Sequence, residues 1–299
     1  MKKCILLLLL SLLLFLPQAI KRDFRIPPIY PQISSPDWEV PPPNDEVRAA
    51  LNQPFTYLAR GNQSTVFASV DGRYVLKLFR STRPRFPFIQ SIKEGCAKAV
   101  GKRPKDRLFT KLNKTMTAAH IAYTEAKAFT QLVYCHLNLR DDQLPSIQLG
   151  NYVVPLDRYR FVLQKRVQPF KEALLGARKD PEQMHRLIHS FVALIHNRSA
   201  LGIRNSDPNL APNFGFLNGE AVEIDFGNYR KALSDPQLQR AEIENYLKRF
   251  ALWLSKNTPE YLPYLNEQIK IFESPIPHPL KSISLLLFIP IGNLFPLTR

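Results

Sequence analysis

Cysteine is almost missing from this 299-residue chain: Cys4, Cys96 and Cys135 are the only three, far apart and without a C-x-x-C pair. That spacing supplies neither a disulfide framework nor a thiolate metal site. Uninterrupted apolar length is missing too. The N-terminal apolar run covers 4–16, short of the roughly 20 residues that a bilayer span requires. Acidic residues are scarce against basic ones, 25 Asp and Glu to 41 Lys and Arg. The most basic stretch carries no aromatic residues at base-stacking intervals, so no specific nucleic-acid partner is implied. His185 and His189 are four apart, but Arg186 stands where a zinc-hydrolase helix needs glutamate, and no third ligand is evident.

With 45% hydrophobic residues the chain can bury a core, and a net charge of +16 with pI near 9.8 suits an acidic partner. Lys2-Lys3, the apolar run and Pro17-Gln18-Ala19 read as a signal peptide or N-terminal membrane anchor over 1–22. Expected localisation is therefore exported or membrane-associated, with the side of the membrane open. Prolines at 27, 28, 31, 36 and 41–43 mark 23–53 as an extended tether. The folded part is expected from about 54.

Within it, runs at 64–70 and 74–79 flank Asp71-Gly72, a hairpin signal. The segment 81–114 is strongly basic, a solvated loop or a dock for an anionic membrane surface or acidic partner. Thr117 is placed to cap a helix over 118–136 that carries Glu125, where a carboxylate near the apolar face needs a partner. Strands are expected at 148–154 and 159–167, a helix from Asp180 to Asn197, and another over 236–256. The tail 271–299 is apolar but broken by proline and glycine.

The polar loop from Ile203 holds Asp207, Asn209 and Asn213, then two short apolar runs meet at Asn218-Gly219, a type I′ turn signal. A hairpin there makes neighbours of Asn213 and Asp225, which lie 12 residues apart (225 − 213). A carboxylate beside an amide oxygen is a hard-ligand pair suited to Mg²⁺.

These residues resemble the protein-kinase-like superfamily, over about 57–229. Asp207, Asn213 and Ile224-Asp225-Phe226-Gly227 look like its catalytic loop and metal-binding DFG. Ala59, Gly61, Ser64 and Val66 stand in a phosphate loop in which two glycines are replaced, by Ala59 and Ser64. Val75-Leu76-Lys77-Leu78 resembles the lysine strand. The resemblance implies an α+β, two-lobed fold: a β-rich N-lobe over 54–167 with the basic insertion 81–114, and an abbreviated helical C-lobe over 168–270. It further implies ATP and Mg²⁺ as cofactors. Lys77 would be held by Glu125 on the nucleotide phosphates, and Gln164, Lys165 and Arg166 would form a backbone hinge for adenine. Asp207 would orient the acceptor hydroxyl, and Asn213 and Asp225 would hold metal. The pattern departs from the family where Asn205 replaces the usual His, where no Lys follows two residues after Asp207, and where Asp207 and Asn213 are six apart. The expected activity is phosphotransfer to a hydroxyl of a protein or lipid-linked sugar. The alternative is a membrane-tethered pseudokinase that binds nucleotide or a partner as a scaffold.

Overall fold

The computed structural model describes residues 33–61, 63–80, 107–231 and 235–273. The expected leader, most of the basic segment and the apolar stretch at 283–297 lie outside them. The chain is α+β and forms two compact units, one from residues up to 109 with 134–163, the other from 110–133 with 164–299.

The first unit is built on a seven-stranded sheet. Its strands are β1 (Phe55–Arg60), β2 (Ser64–Ser69), β3 (Tyr74–Phe79), β4 (Leu132–His136), β5 (Ser146–Leu149), β6 (Tyr152–Pro155) and β7 (Phe161–Lys165), in the order β4-β7-β3-β2-β1-β5-β6. The expected hairpin at Asp71-Gly72 forms, with Gly72 at φ 73° and Lys77 paired with Val66 in register. Serine and aspartate close its end: Ser69 Oγ donates to Asp71 Oδ1 at 2.6 Å and accepts from Tyr74 N at 2.9 Å. Burial alone would raise the Asp71 pKa, but the bonds from Ser69, Arg73 and Gln53 outweigh it and hold the carboxyl below its ordinary value.

One strand expectation and one helix expectation need correction. The run expected at 148–154 is split by Gly150 at φ 58° into the β5–β6 hairpin. The helix expected to run to His136 stops earlier. Thr130 Oγ1 donates to the Ala122 and Ala126 carbonyls, and Gln131 turns left-handed at φ 52°. Leu132–His136, rich in branched and aromatic side chains, then joins the sheet as β4.

The proline-rich stretch expected as a tether folds onto this unit from Ile33 onward. Pro36–Trp38 forms a short 3-10 helix and Asp45–Leu51 an α-helix, α1, capped by Asn44 Oδ1 accepting from Val47 N. Trp38 is fully buried with the Arg160 guanidinium 6.0 Å from its ring centroid. Arg160 donates to the Leu137 carbonyl at 2.7 Å and to the Ile33 carbonyl. Proline fixes the chain direction here, while tryptophan supplies the apolar area that holds it down.

The second unit is mostly helical. Its helices are α2 (Arg107–Thr124), α3 (Lys127–Thr130), α4 (Phe170–Gly176), α5 (Pro181–Ala200), α6 (Leu210–Asn213), α7 (Pro236–Asn257) and α8 (Leu262–Glu273). Helix α2 begins ten residues before Thr117, inside the segment expected as a basic loop. The α5 and α7 expectations hold: Asp180 and Asp235 cap them through their carboxylates, each with proline at the first helical position. Phe170 packs against Phe191, Phe216, Phe250 and Trp253 with ring centroids 5.6 to 5.9 Å apart, fixing α4, α5, α7 and a small sheet around one core.

That sheet is β8 (Gln168–Pro169), β10 (Phe214–Leu217) and β11 (Glu220–Glu223), ordered β11-β10-β8. Strands β9 (Ile203–Asn205) and β12 (Tyr229–Lys231) form a separate ladder. The β10–β11 turn has Asn218 at φ 53° and Gly219 at φ 86°, the positive angles that a type I′ turn requires. Gly215 is needed for a different reason. A Cβ there would lie 2.4 Å from Val167 Cγ2 and 2.5 Å from the Gln168 carbonyl, so only glycine lets β8 approach β10.

Candidate functional site

In the second unit the hairpin places Asn213 immediately before β10 and Ile224-Asp225 immediately after β11. The Asn213 carbonyl accepts from Ile224 N at 2.7 Å and from Asp225 N at 3.3 Å. The adjacency expected from the turn is therefore present at the backbone. Asn213 is buried and donates through Nδ2 to the Asp207 carbonyl at 3.0 Å, which leaves its amide oxygen as the atom able to ligate a cation. Asp225 is exposed, with Oδ1 accepting from Gly227 N at 3.1 Å. Asp207 is half-buried, and its Oδ1 accepts from Asn209 Nδ2 at 2.6 Å. One carboxylate oxygen of Asp207 is thus fixed, which orients the other.

The residues that hold this loop were not evident from sequence. Asn205, noted there as a departure, is buried and uses both ends of its amide. Its Oδ1 accepts from Asp207 N at 3.1 Å, while Nδ2 donates to the Asp225 carbonyl at 3.1 Å and to Glu223 Oε1 at 2.7 Å. Glu223 has no exposed side-chain area and meets Arg198 Nη1 at 2.7 and 2.8 Å. The Tyr229 hydroxyl donates to Glu223 Oε2 at 2.6 Å. Arg198 also donates to Glu242 Oε1 at 2.7 Å, and Glu242 accepts from Arg204 Nε and Asn205 N, both at 2.9 Å. Two guanidinium groups and two carboxylates therefore balance.

Electrostatics follow from this sealing. Burial alone would depress the Arg198 pKa, but Glu223 and Glu242 raise it above its ordinary value. Burial, reinforced by Glu223, pushes the Tyr229 and Tyr246 hydroxyls up, so both stay protonated donors. Sequence carried two faint signals for the cluster: Glu223 inside an apolar strand run, and Arg198 near the end of an otherwise apolar helix face.

The remaining expected site residues divide between the units. In the first, Lys77 is half-buried on β3. Ala59 pairs with Val66 across β1 and β2, with a register shift after Tyr57. The Gly61 amide donates to the Ser64 carbonyl at 2.9 Å, so that amide is committed to closing the strand pair. In the second, which takes in the last two residues of β7, Gln164 is buried and donates to the Thr130 carbonyl at 2.5 Å. The Lys165 amide donates to the Gln131 carbonyl at 3.0 Å, and Arg166 is exposed. Glu125, expected within a helix, follows the last residue of α2, is exposed, and forms an ion pair with Lys231. Nearby, Lys114 donates to Asn228 Oδ1 at 3.0 Å.

Among the described residues no group of three or more His, Cys, Asp or Glu is placed to hold a metal. The set at Asp225 and Asn213 is all oxygen, and Mg²⁺ commonly binds through one or two protein oxygens completed by substrate phosphates and water. The residues therefore fit Mg²⁺ held together with a phosphate ligand. No described helix is long and apolar enough to cross a membrane.

No family model matches the chain, and no curated protein does. Among solved structures, a 2.2 Å crystal structure of WbdD is similar at 13% identity and TM-score 0.38, covering 75% of this chain and 48% of that one. The ROP18 kinase domain in complex with AMP-PNP and sucrose is similar at 19% identity and TM-score 0.32, covering 60% and 52%. A second structure of WbdD, described as a bifunctional kinase-methyltransferase, gives 13% identity and TM-score 0.35, covering 70% and 43%. The chain thus spans about half the length of the solved chains it matches.

Proposed function

We propose that this protein is an ATP- and Mg²⁺-dependent phosphotransferase of kinase-like fold that acts on an alcohol acceptor, a protein hydroxyl or a lipid-linked sugar. The observation that carries the reading is the grouping of Asp207, Asn213 and Asp225 at one end of the β10–β11 hairpin, tied through the Asn213 carbonyl and amide. Asn213 and Asp225 would hold Mg²⁺, which neutralises phosphate charge when bound. Asp207 would take the acceptor proton as the acceptor oxygen replaces ADP on the γ-phosphorus. Lys77 would bind nucleotide phosphates by its side chain, since the Gly61 amide is already used. Positioning and fixed charge would supply the rate, with no covalent intermediate. The N-terminal leader would make the enzyme membrane-associated or exported.

A scaffold without turnover is the second reading, favoured by the commitment of the Gly61 and Lys165 amides to bonds within the chain. Single-turnover transfer from γ-labelled ATP to water or a generic alcohol separates the two. Labelled product that falls by on the order of 10² in Asp225→Ala supports the enzyme. Nucleotide-dependent thermal stabilisation with no label transferred supports the scaffold.

A further inference from the structure

The buried cluster around Arg198 reaches the loop bearing Asp207 and Asp225 in two ways: Glu242 and Tyr246 meet its backbone, and Glu223 meets the Asn205 side chain. Glu242 Oε1 accepts the Asn205 amide at 2.9 Å. Glu223 Oε1 accepts from Asn205 Nδ2, which also reaches the Asp225 carbonyl. The Tyr246 hydroxyl lies 3.2 Å from the Asn205 carbonyl and 3.0 Å from that of Asp207, and can donate to either. The Arg198 guanidinium sits 5.0 Å from the Tyr246 ring centroid and 5.9 Å from that of Tyr229, so one cation fixes both hydroxyl-bearing rings and both carboxylates. An apolar core could pack this space at equal or lower energetic cost, because sealing ions away from water is expensive. What apolar side chains could not do is hold the Asn205 amide and the Asn205 and Asp207 carbonyls at defined distances.

We infer that Arg198, Glu223, Glu242 and Tyr246 are positioning residues: a charge-balanced clamp that sets the Asn205–Asp207 segment against the Asp225 carbonyl, acting through Asn205 rather than on any substrate. Its catalytic consequence rests on the phosphotransferase reading, but the clamp itself is a statement about loop order. Tyr246→Phe removes one hydroxyl and keeps the ring that packs on Phe214 and Arg198. Glu223→Gln keeps the shape and removes the charge that Arg198 faces.

The test compares both variants with the intact chain by amide hydrogen exchange and by Mg·ATP kinetics. Tyr246→Phe should speed exchange in peptides covering 203–213 and 224–229 by about five- to tenfold, the factor one hydrogen bond allows. Exchange in α5 and α7 should change less than twofold. Phosphoryl transfer should fall by a similar five- to tenfold in kcat, with KM for Mg·ATP moving less than twofold. Glu223→Gln should move the same peptides further. Uniformly faster exchange across the whole second unit, with no excess at these peptides, would overturn the clamp and leave a merely structural core. If the intact chain transfers no phosphate, the phosphotransferase reading fails, and local exchange alone still decides the clamp.

Discussion

Replacing Arg198 by Met tests the energetics of the buried cluster most directly. The change deletes three charge-assisted contacts, at 2.7 and 2.8 Å to Glu223 and 2.7 Å to Glu242, and leaves the Glu223 carboxylate sealed without a cation. Breaking a buried pair by removing one partner costs about 3–5 kcal/mol. The low end is expected here, because Glu223 keeps Asn205 Nδ2 and the Tyr229 hydroxyl while Glu242 keeps Arg204 and the Asn205 amide. The chain has two tryptophans, Trp38 in the first unit and Trp253 in the second. Urea unfolding followed by fluorescence in a Trp38→Phe background therefore reports the second unit through Trp253. A loss near 3 kcal/mol is expected, with about half restored by adding Glu223→Gln. A loss below about 1 kcal/mol, the range of exposed pairs, would refute the idea that Arg198 neutralises a sealed carboxylate.

Gly215→Ala should cost about 1–3 kcal/mol by overpacking. Adding Val167→Ala should recover only part, since the Gln168 carbonyl at 2.5 Å is backbone and cannot swing aside; full recovery in the same urea assay would contradict that. His136 is stacked on Phe161 at 5.5 Å, and its pKa is lowered by burial, although Asp142 and the Asp157 carbonyl pull it upward. A depressed native value means the unfolded chain takes the proton first. The stability it contributes is complete above the ordinary value of 6.5 and is lost as pH falls below it. His136→Phe should flatten the pH 7 to 5 slope of first-unit stability read by Trp38 fluorescence, and an unchanged slope would remove His136 as its cause.

Features set by short-range dihedral preference were legible without coordinates. Asp71-Gly72 and Asn218-Gly219 gave their hairpins because glycine and asparagine accept positive φ. The α5 start at Pro181 was legible because proline suits the first helical turn, whereas the carboxylate caps of Asp180 and Asp235 emerged only from the structure. The nearness of Asn213 to Asp225 followed from hairpin arithmetic alone. Where competing long-range forces acted, the local signal failed. The prolines of 36–43 suggested a tether, yet Trp38 found a buried place beside Arg160. Residues 132–136 had helical spacing, yet the left-handed Gln131 and an open sheet edge turned them into β4.

Tertiary structure alone decided the support of the candidate site. Arg198, Glu223 and Glu242 come from a helix, a strand and another helix, separated by 25 and 19 residues along the chain. No local rule relates such positions, because the free energy of an ionic cluster depends on which charges are sealed from water together. Which ammonium meets Glu125, here Lys231, was likewise fixed by folding rather than by spacing. Sequence therefore determined which turns bring Asn213 beside Asp225. Burial determined which neighbours hold them still, since desolvation acts on whatever the whole fold brings into one place.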